Sequence, residues 1–471
     1  MIEQINLDDV HLFLNRQLDE GAGFAQLKCH AIKSRRDYSW SKGKLNNSFQ
    51  SSKQVWVLRS FYLGTWGTYV ANSFDELKES ASLATNLAKE INQSRSKNSG
   101  VKDIMVSKPI RQLRDRSDSL FQLPGAQEIL LLLKEIEAIS PHNINLDFSD
   151  NLVDFYYWDS EHTRGLKQYY NSSLTCRVKQ DQNQNYPLNL SLYATSNCEQ
   201  PFSFKNLNWK NEVNHFRSTL DYDQHKGSSP KEMKWIFSSR AFAQLIYATL
   251  GPTICLERPD PFIEQMNPAN LDDTQICSEN FSMYSNPSLF SEKSFLDEEG
   301  VPVRKIPLIE KGVLKQLLMT RLSAFHLSRS LSVHKEKILA GSSRSSIADN
   351  AIKPDLQYVE VSSGEEILEY MKDAHVWIGD IKVQKVHTHG LTFRITAYNN
   401  VIVKYGGLHK RYLRKLSFLT TRNELWSKLI TVGNERDTVH LKQAKHFYSK
   451  EAYSTFLVPP AVFEGVSCSW N

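Results

Sequence analysis

Gln54-Val-Trp-Val-Leu-Arg-Ser-Phe-Tyr-Leu-Gly-Thr-Trp-Gly-Thr-Tyr-Val70 is the stretch on which the fold turns. Aromatic and β-branched residues recur in it at period two, around Gly64 and Gly67. That period sends alternate side chains to opposite faces of a strand, and glycine opens the tight turn between strands. With Tyr38-Ser-Trp40 upstream, the stretch predicts antiparallel strands joined by tight turns. Downstream, Ser73-Phe-Asp-Glu-Leu77 has the form of a capping box. The Ser73 hydroxyl can accept the third helical amide while Glu76 reaches back. Leu77, Ala81, Leu83, Ala84, Leu87, Ala88 and Ile91 then predict one amphipathic helix. Upstream, Asp8 and Asp9 precede Val10, Leu12, Phe13, Leu14 and Leu18, which predicts a helix leading into the first strand.

Farther out, residues 93–120 are polar and read as a loop or linker, and Gly125 to Ile139 reads as a second helix. Strand patterns return at Ile144–Phe148, Val153–Trp158 and Ser173–Val178, with the alternation of a sheet that has one wet face. A polar connector at 197–232 places a boundary near 210, giving domains 1–209 and 210–471. Residues 237–250 predict a third helix capped by Ser238 or Ser239. The remainder is strand-rich, with turn signals at Glu299-Gly300, Lys311-Gly312, Gly390, Asn399-Asn400 and Gly406-Gly407. Short helices are expected at Gly364–Met371 and Arg422–Ile430. The expected class is α+β. N-terminal helices lie on a mostly antiparallel sheet, and a larger, β-rich, barrel-like C-terminal domain carries helix 237–250.

The chain has 471 residues, 40% apolar, 11% aromatic and 23% charged. This composition excludes a mainly disordered, collagenous or coiled-coil chain. Fifty-seven Lys and Arg against 52 Asp and Glu leave a net charge of +5, too weak a bias to imply nucleic acid. The six cysteines include no C-x-x-C pair, which argues against a zinc ribbon or a dense disulfide scaffold and fits a reducing compartment. The N-terminus has no signal-peptide pattern and no run of 18 apolar residues occurs, so a cytoplasmic protein without a membrane span is expected.

Several segments together resemble the TldD/PmbA family, also called modulators of DNA gyrase. The strongest is Phe295-Leu-Asp-Glu-Glu-Gly-Val-Pro-Val-Arg-Lys-Ile-Pro-Leu-Ile-Glu-Lys-Gly-Val-Leu314, followed by a short segment ending in Ser323-Ala324. It matches the family's acidic-Glu-Gly turn, a strand, and then "I-E-x-G-x-L". Leu429-Ile-Thr-Val-Gly-Asn-Glu435 looks like the "VGN" element near the family's C-terminus. The strand–strand–helix unit 52–91 and the helix 126–139 agree in order.

Active members of this family are metallopeptidases marked by His-Glu-x-x-x-His on a helix. Two histidines on one helix face hold zinc and the glutamate activates its water. The resemblance puts the first ligand position on Tyr247, the general base on Ala248 and the second ligand on Pro252, just after Gly251. A phenol stays protonated near neutral pH, alanine has no base, and proline has no side-chain donor and tends to end a helix. The family's third ligand is a cysteine after the VGN element. Here His440-Leu-Lys-Gln-Ala-Lys-His-Phe-Tyr-Ser449 has none, and Cys468 lies too far on. Only 20 glycines occur, which suggests altered substrate loops compared with Gly-rich catalytic members.

The resemblance therefore implies the PmbA (TldE) class, whose members lack the metal motif and pair with a metal-bearing TldD-like subunit to process unfolded or extended peptides. No metal, cofactor or catalytic residue is expected in this chain. The expected partners are a TldD-like subunit or a second copy of this chain, and an extended peptide adding as a strand. Two alternatives carry other chemistry. His387 and His389 share one strand face, with His375 and His409 as possible further ligands of a relocated metal site. A polar pair before Gly390 is the simpler reading. The basic run Lys404, His409, Lys410, Arg411, Arg414 and Lys415, interleaved by Tyr405 and Tyr412, could meet nucleic acid as a gyrase-associated regulator would. A solvated strand face is again the simpler reading. No Gly-x-Ser-x-Gly elbow, Walker A or G-x-G-x-x-G occurs.

Overall fold

The computed structural model describes residues 7–80, 82–94, 113–115, 123–139, 144–178, 189–197, 213, 234–256, 274–289, 296–325, 341, 343–345, 352–372, 375–386, 392–403, 410–413, 416–442 and 453–465. The class is α+β, as expected. The boundary expected near 210 lies outside the described residues, as do Gly390 and Gly406-Gly407.

The N-terminal sheet is built from β1 (Phe24–Ser41), β2 (Lys44–Tyr62), β3 (Thr65–Ala71), β4 (Leu113–Asp115), β5 (Ile144–Asp159), β6 (Arg164–Val178) and β7 (Asn189–Asn197). Its order is β3-β2-β1-β5-β6-β4, with β7 also on β6, and every pairing except β4–β6 is antiparallel. The predicted linker 93–120 thus contains one short strand, β4, and the two strand patterns at 144–158 are one long strand.

Among the described residues, four helices cover one face of this sheet: α1 (Leu7–Asp19), α2 (Phe74–Glu79), α3 (Leu83–Ser94) and α4 (Ala126–Ile139). Leu27, Cys29, Trp56, Leu58 and Trp158 pack against Phe13 and Leu14 of α1, Leu77 of α2 and Ala84 of α3. Farther along, Trp40, Leu146, Phe148 and Leu174 pack against Ile129, Leu133 and Ile136 of α4. Odd-numbered β1 residues serve the first cluster and an even-numbered one the second. The register shift between Ile32 and Arg35 makes the change, because one extra residue flips every later side chain.

The capping box forms as a variant. Ser73 Oγ accepts from the Glu76 amide at 3.1 Å, and Glu76 accepts from the amide of Asn72, not Ser73. The single helix expected over 77–91 is instead two, broken after Glu79. Gly67 admits the second helix close to the sheet. A Cβ there would lie 1.8 Å from the Ala84 carbonyl oxygen, so α3 seats its small side, Ala84 and Ala88, directly on β3. Leu83, Leu87 and Ile91 consequently face outward, opposite to expectation.

The C-terminal part adds β8 (Lys234–Phe237), β9 (Cys255–Leu256), β10 (Met283–Ser285), β11 (Ile306–Glu310), β12 (Val313–Leu314), β13 (Leu318–Met319), β14 (Ser343–Ser345), β15 (Ile352–Pro354) and β16 (Tyr358–Val361). It continues with β17 (His375–Lys385), β18 (Thr392–Val403), β19 (Lys410–Leu413), β20 (Leu416–Thr421), β21 (Leu429–Val432), β22 (Asp437–Lys442), β23 (Tyr453–Val458) and β24 (Ala461–Phe463). A seven-stranded sheet, β19-β18-β17-β8-β24-β21 with β20 on β18, and a six-stranded sheet, β12-β11-β10-β16-β23-β22, enclose one apolar core. Asn399-Asn400 sits inside β18 and is no turn. Pairing to β17 and β19, with Val401 and Ile402 following, overrides the turn preference of asparagine. Gly364–Met371 forms a single 3-10 turn at Ile367–Glu369, and the helix expected to reach Ile430 stops at Ser427, where Leu429 enters β21. Lys311-Gly312 is a hairpin turn with φ of 47° and 76°.

The opposite face of the N-terminal sheet carries a buried polar cluster beside Phe24 and Phe61. Gln26, Lys28, Arg59, Tyr157 and Asp159 lie there, under the Asp297–Val301 turn and the Thr320–Phe325 segment of the C-terminal part. This is where the Glu-Glu-Gly motif works. Gly300 has φ of 73°, and a Cβ on it would meet the Tyr157 ring at 2.4 Å. The Glu299 carbonyl accepts from Tyr157 Oη at 2.9 Å and from Arg321 Nε at 2.8 Å. Lys28 Nζ lies 3.4 Å from Glu298 Oε2.

Candidate functional site

The helix that the resemblance aligns with the metal motif begins after β8, so Phe237 is its strand neighbour and not its first residue. We designate its segments α5 (Ser239–Leu245), a π turn (Ile246–Leu250) and α6 (Gly251–Ile254). Ser238 caps it. Its Oγ accepts from the Ala241 amide at 3.1 Å and donates to the Gly379 carbonyl at 2.8 Å. Gln244 Oε1 accepts from the Ile381 amide at 2.9 Å, which ties the first two turns to β17. Phe242, Leu245, Ile246 and Leu250 enter the apolar core.

Pro252 does not end this helix. It lacks the amide that would bond four residues back, and its ring would press on the carbonyl there. The π turn widens the helix just before it, with the Gly251 amide donating to the Ile246 carbonyl, and helical backbone continues to Ile254.

The four positions fall close together on the 247–252 turn but offer little chemistry. Tyr247 is half-buried, its Oη donates to Asp355 Oδ1 at 3.1 Å, and its ring meets Phe456 edge-on. Ala248 is half-buried, Gly251 is buried and Pro252 is exposed. A Cβ at Gly251 would make only an ordinary 3.5 Å contact with Leu356. Two neighbours that the sequence did not single out hold the turn in place. Thr249 Oγ1 accepts from Trp426 Nε1 at 3.0 Å and donates to the Leu245 carbonyl at 2.7 Å. Thr253 Oγ1 accepts from Arg422 Nη1 at 2.5 Å.

A zinc site needs three or four ligands of the thiolate, imidazole or carboxylate kind. Asp355 supplies one carboxylate near Tyr247. Cys255 follows the helix, but burial, and then the Asp355 charge, push its thiol well above its ordinary range. With a phenol, a methyl and a pyrrolidine ring at the aligned positions, this donor set does not fit zinc. Among the described residues no group of three or more His, Cys, Asp or Glu could hold a metal ion. His375 begins β17 and is buried, while His387, His389 and His409 lie outside the described residues. Of the basic run, Lys410, Arg411 and Tyr412 are in β19, and Lys404, Tyr405, His409, Arg414 and Lys415 lie outside the described residues.

The other motif segments have structural tasks. Gly433, at the VGN element, donates its amide to the Pro460 carbonyl at 2.8 Å and accepts from the Gly364 amide at 2.9 Å. The Lys311-Gly312 turn packs so closely that a Cβ on Gly312 would lie 2.3 Å from the Cys277 carbonyl oxygen.

Among solved structures, the chain is similar to TldE from Thermococcus kodakarensis, with a TM-score of 0.74 and 14% identity over 98% of this chain and 100% of the other. It is similar at the same 14% identity to a protein from Bacteroides thetaiotaomicron titled a modulator of DNA gyrase, with a TM-score of 0.71 over all of both chains. A Thermotoga maritima protein with a like title gives a TM-score of 0.64 at 14% identity, over 97% of this chain and 99% of that one. These likenesses establish the fold. No curated protein matches the chain. The family model of the PmbA/TldA metallopeptidase C-terminal domain matches residues 230–469, about half of the sequence and all of the strand-rich part described above. The chain belongs to the PmbA/TldD metallopeptidase family.

Proposed function

We propose that this chain is a subunit of the PmbA (TldE) class that carries no metal and no catalytic residue of its own, and that pairs with a metal-bearing TldD-like subunit to process extended peptides in the cytoplasm. One observation carries the reading. At the turn where the resemblance places the metal, Tyr247, Ala248, Gly251 and Pro252 supply no ligand set, and the one polar side chain among them is engaged with Asp355. Its neighbours Thr249 and Thr253 are committed to Trp426 and Arg422. The turn is thereby built as packing, and its chemistry would come from the partner subunit. The likeness to TldE from Thermococcus kodakarensis supports the class.

The test is reconstitution. The purified chain is mixed with a TldD-like subunit carrying His-Glu-x-x-x-His, and cleavage of an unfolded peptide is followed. We expect no cleavage by this chain alone, a stable complex on gel filtration, and cleavage by the complex that a chelator abolishes through the partner's metal. Metal-dependent cleavage by this chain alone would overturn the reading.

A further inference from the structure

Beyond its contact with β3, strand β2 runs on with one side open. It spans Lys44–Tyr62, and β1 pairs with it from Lys44 to Phe61. On its other side β3 reaches only as far as Trp56, which faces Ala71. Among the described residues no other strand pairs with β2. Every residue from Lys44 to Gln50 is exposed, and the Phe49 ring stands 55% exposed on the edge. A strand edge presents a row of backbone N–H and C=O groups, a template that fits another extended strand and neither a helix nor a nucleic acid.

Edges that stay apart are protected by charges along the strand, by proline or by a cover. Here Asn47-Ser-Phe-Gln-Ser-Ser-Lys53 holds no proline and one charge, at its end. It is also the regular part of the edge. The register against β1 shifts between Ser39 and Trp40, which makes Asn46 an extra residue, and shifts again between Ile32 and Arg35, opposite Ser52.

We propose that a second copy of this chain pairs with this edge: Asn47–Lys53 runs antiparallel to the same segment about a two-fold axis at Gln50, and the two N-terminal sheets join into one.

Side-chain complementarity selects this register. A two-fold contact sets each residue against its counterpart across the axis. Gln50 meets the second copy's Gln50, Ser48 meets the second copy's Ser52, and Asn47 meets the second copy's Lys53, so amides and hydroxyls face one another and no like charges are opposed. Asn47, Phe49, Ser51 and Lys53 share one face of the strand. Phe49 is then diagonal to the second copy's Phe49 and Lys53, within reach of an aromatic pair and a cation–π contact. An axis at Phe49 would instead bring Lys44 against the second copy's Lys53, because the extra residue at Asn46 shortens that end by one place.

Preorganisation favours a folded edge over a free peptide. A peptide laid on this edge loses its conformational freedom along the whole segment. A second β2 is already held extended by its own β1 and loses little. The contact is one strand wide, smaller than a standard interface of about 1,600 Å², so its dissociation constant should be on the order of micromolar. The pairing uses nothing at the 247–252 turn and does not depend on the reading of that turn.

The experiment is sedimentation equilibrium of the full chain from about 1 to 100 μM, a range that brackets such an affinity. The native protein should pass reversibly from monomer to dimer. Gln50→Lys should weaken the dimer about tenfold or more, and Gln50→Glu likewise. An equimolar mixture of the two variants should restore it, because opposite charges then meet at the axis. Gln50 is exposed, so the circular dichroism of each variant should match that of the native protein. A native chain that stays monomeric throughout overturns the proposal. So does a dimer that Gln50→Lys leaves intact, which would use another face, and so does a mixture that fails to recover. A native chain monomeric by itself, whose complex with a TldD-like subunit is lost in Gln50→Lys, would give the edge to that subunit and overturn the proposal as well.

Discussion

The helix Ser239–Ile254 and the Arg321 junction are both buried and both tie distant segments together, yet they are made of opposite materials. The helix is held by apolar packing and by hydrogen bonds to hydroxyls and carbonyls: Thr249 to Trp426, Thr253 to Arg422, Ser238 to Gly379. The junction is held by ions taken from water, Arg321 with Asp159 and Glu161 and Lys28 with Glu298. The difference teaches that this seam is closed largely by buried ions, whereas the helix is seated mainly by apolar packing, with Arg422 as a buried cation against Thr253.

The contrast can be broken with substitutions of unequal weight. Arg321→Ala should do most, costing about 3–5 kcal/mol, because it leaves buried carboxylates without their cation. Urea unfolding would measure it, and a loss below about 1 kcal/mol would mean the junction is hydrated. Gly300→Ala comes next, at about 2–4 kcal/mol, since the added Cβ overlaps the Tyr157 ring in a left-handed backbone. Adding Tyr157→Ala, which makes room, should reduce that increment, and strict additivity would refute the steric cause. Tyr247→Phe should do least, about 1 kcal/mol, by removing one hydrogen bond to Asp355. A larger loss there would mark the 247–252 turn as more than packing.

Much of the fold could be read from alternation and caps. Period two in 54–70 marked β2 and β3, Ser73 and Ser238 capped the helices expected of them, and Lys311-Gly312 turned its hairpin. What escaped the reading depends on contacts between distant residues. Nothing local in Leu83-Ala-Thr-Asn-Leu87 says that the small side of the helix docks, because Gly67 admits it. The flip of the inward face along β1 comes from a register shift, invisible in the pattern of residues. At the candidate site, the side chains at 247, 248 and 252 were legible as poor ligands, since their chemistry is intrinsic. The continuation of the helix through Pro252 was not, because it depends on a π turn. The Glu-Glu-Gly motif was recognised as a hairpin turn, but its partners, Tyr157 and Arg321, lie far off in sequence.

The account rests on the proposal that the 247–252 turn holds no zinc, and the metal content of the purified chain tests this most directly. The full-length protein is loaded with excess zinc, dialysed against metal-free buffer and assayed by elemental mass spectrometry. Zinc at trace level, with no change in thermal stability on loading, is the result predicted. Zinc retained at about one ion per chain and lost on mutating Tyr247 or Asp355 would contradict it.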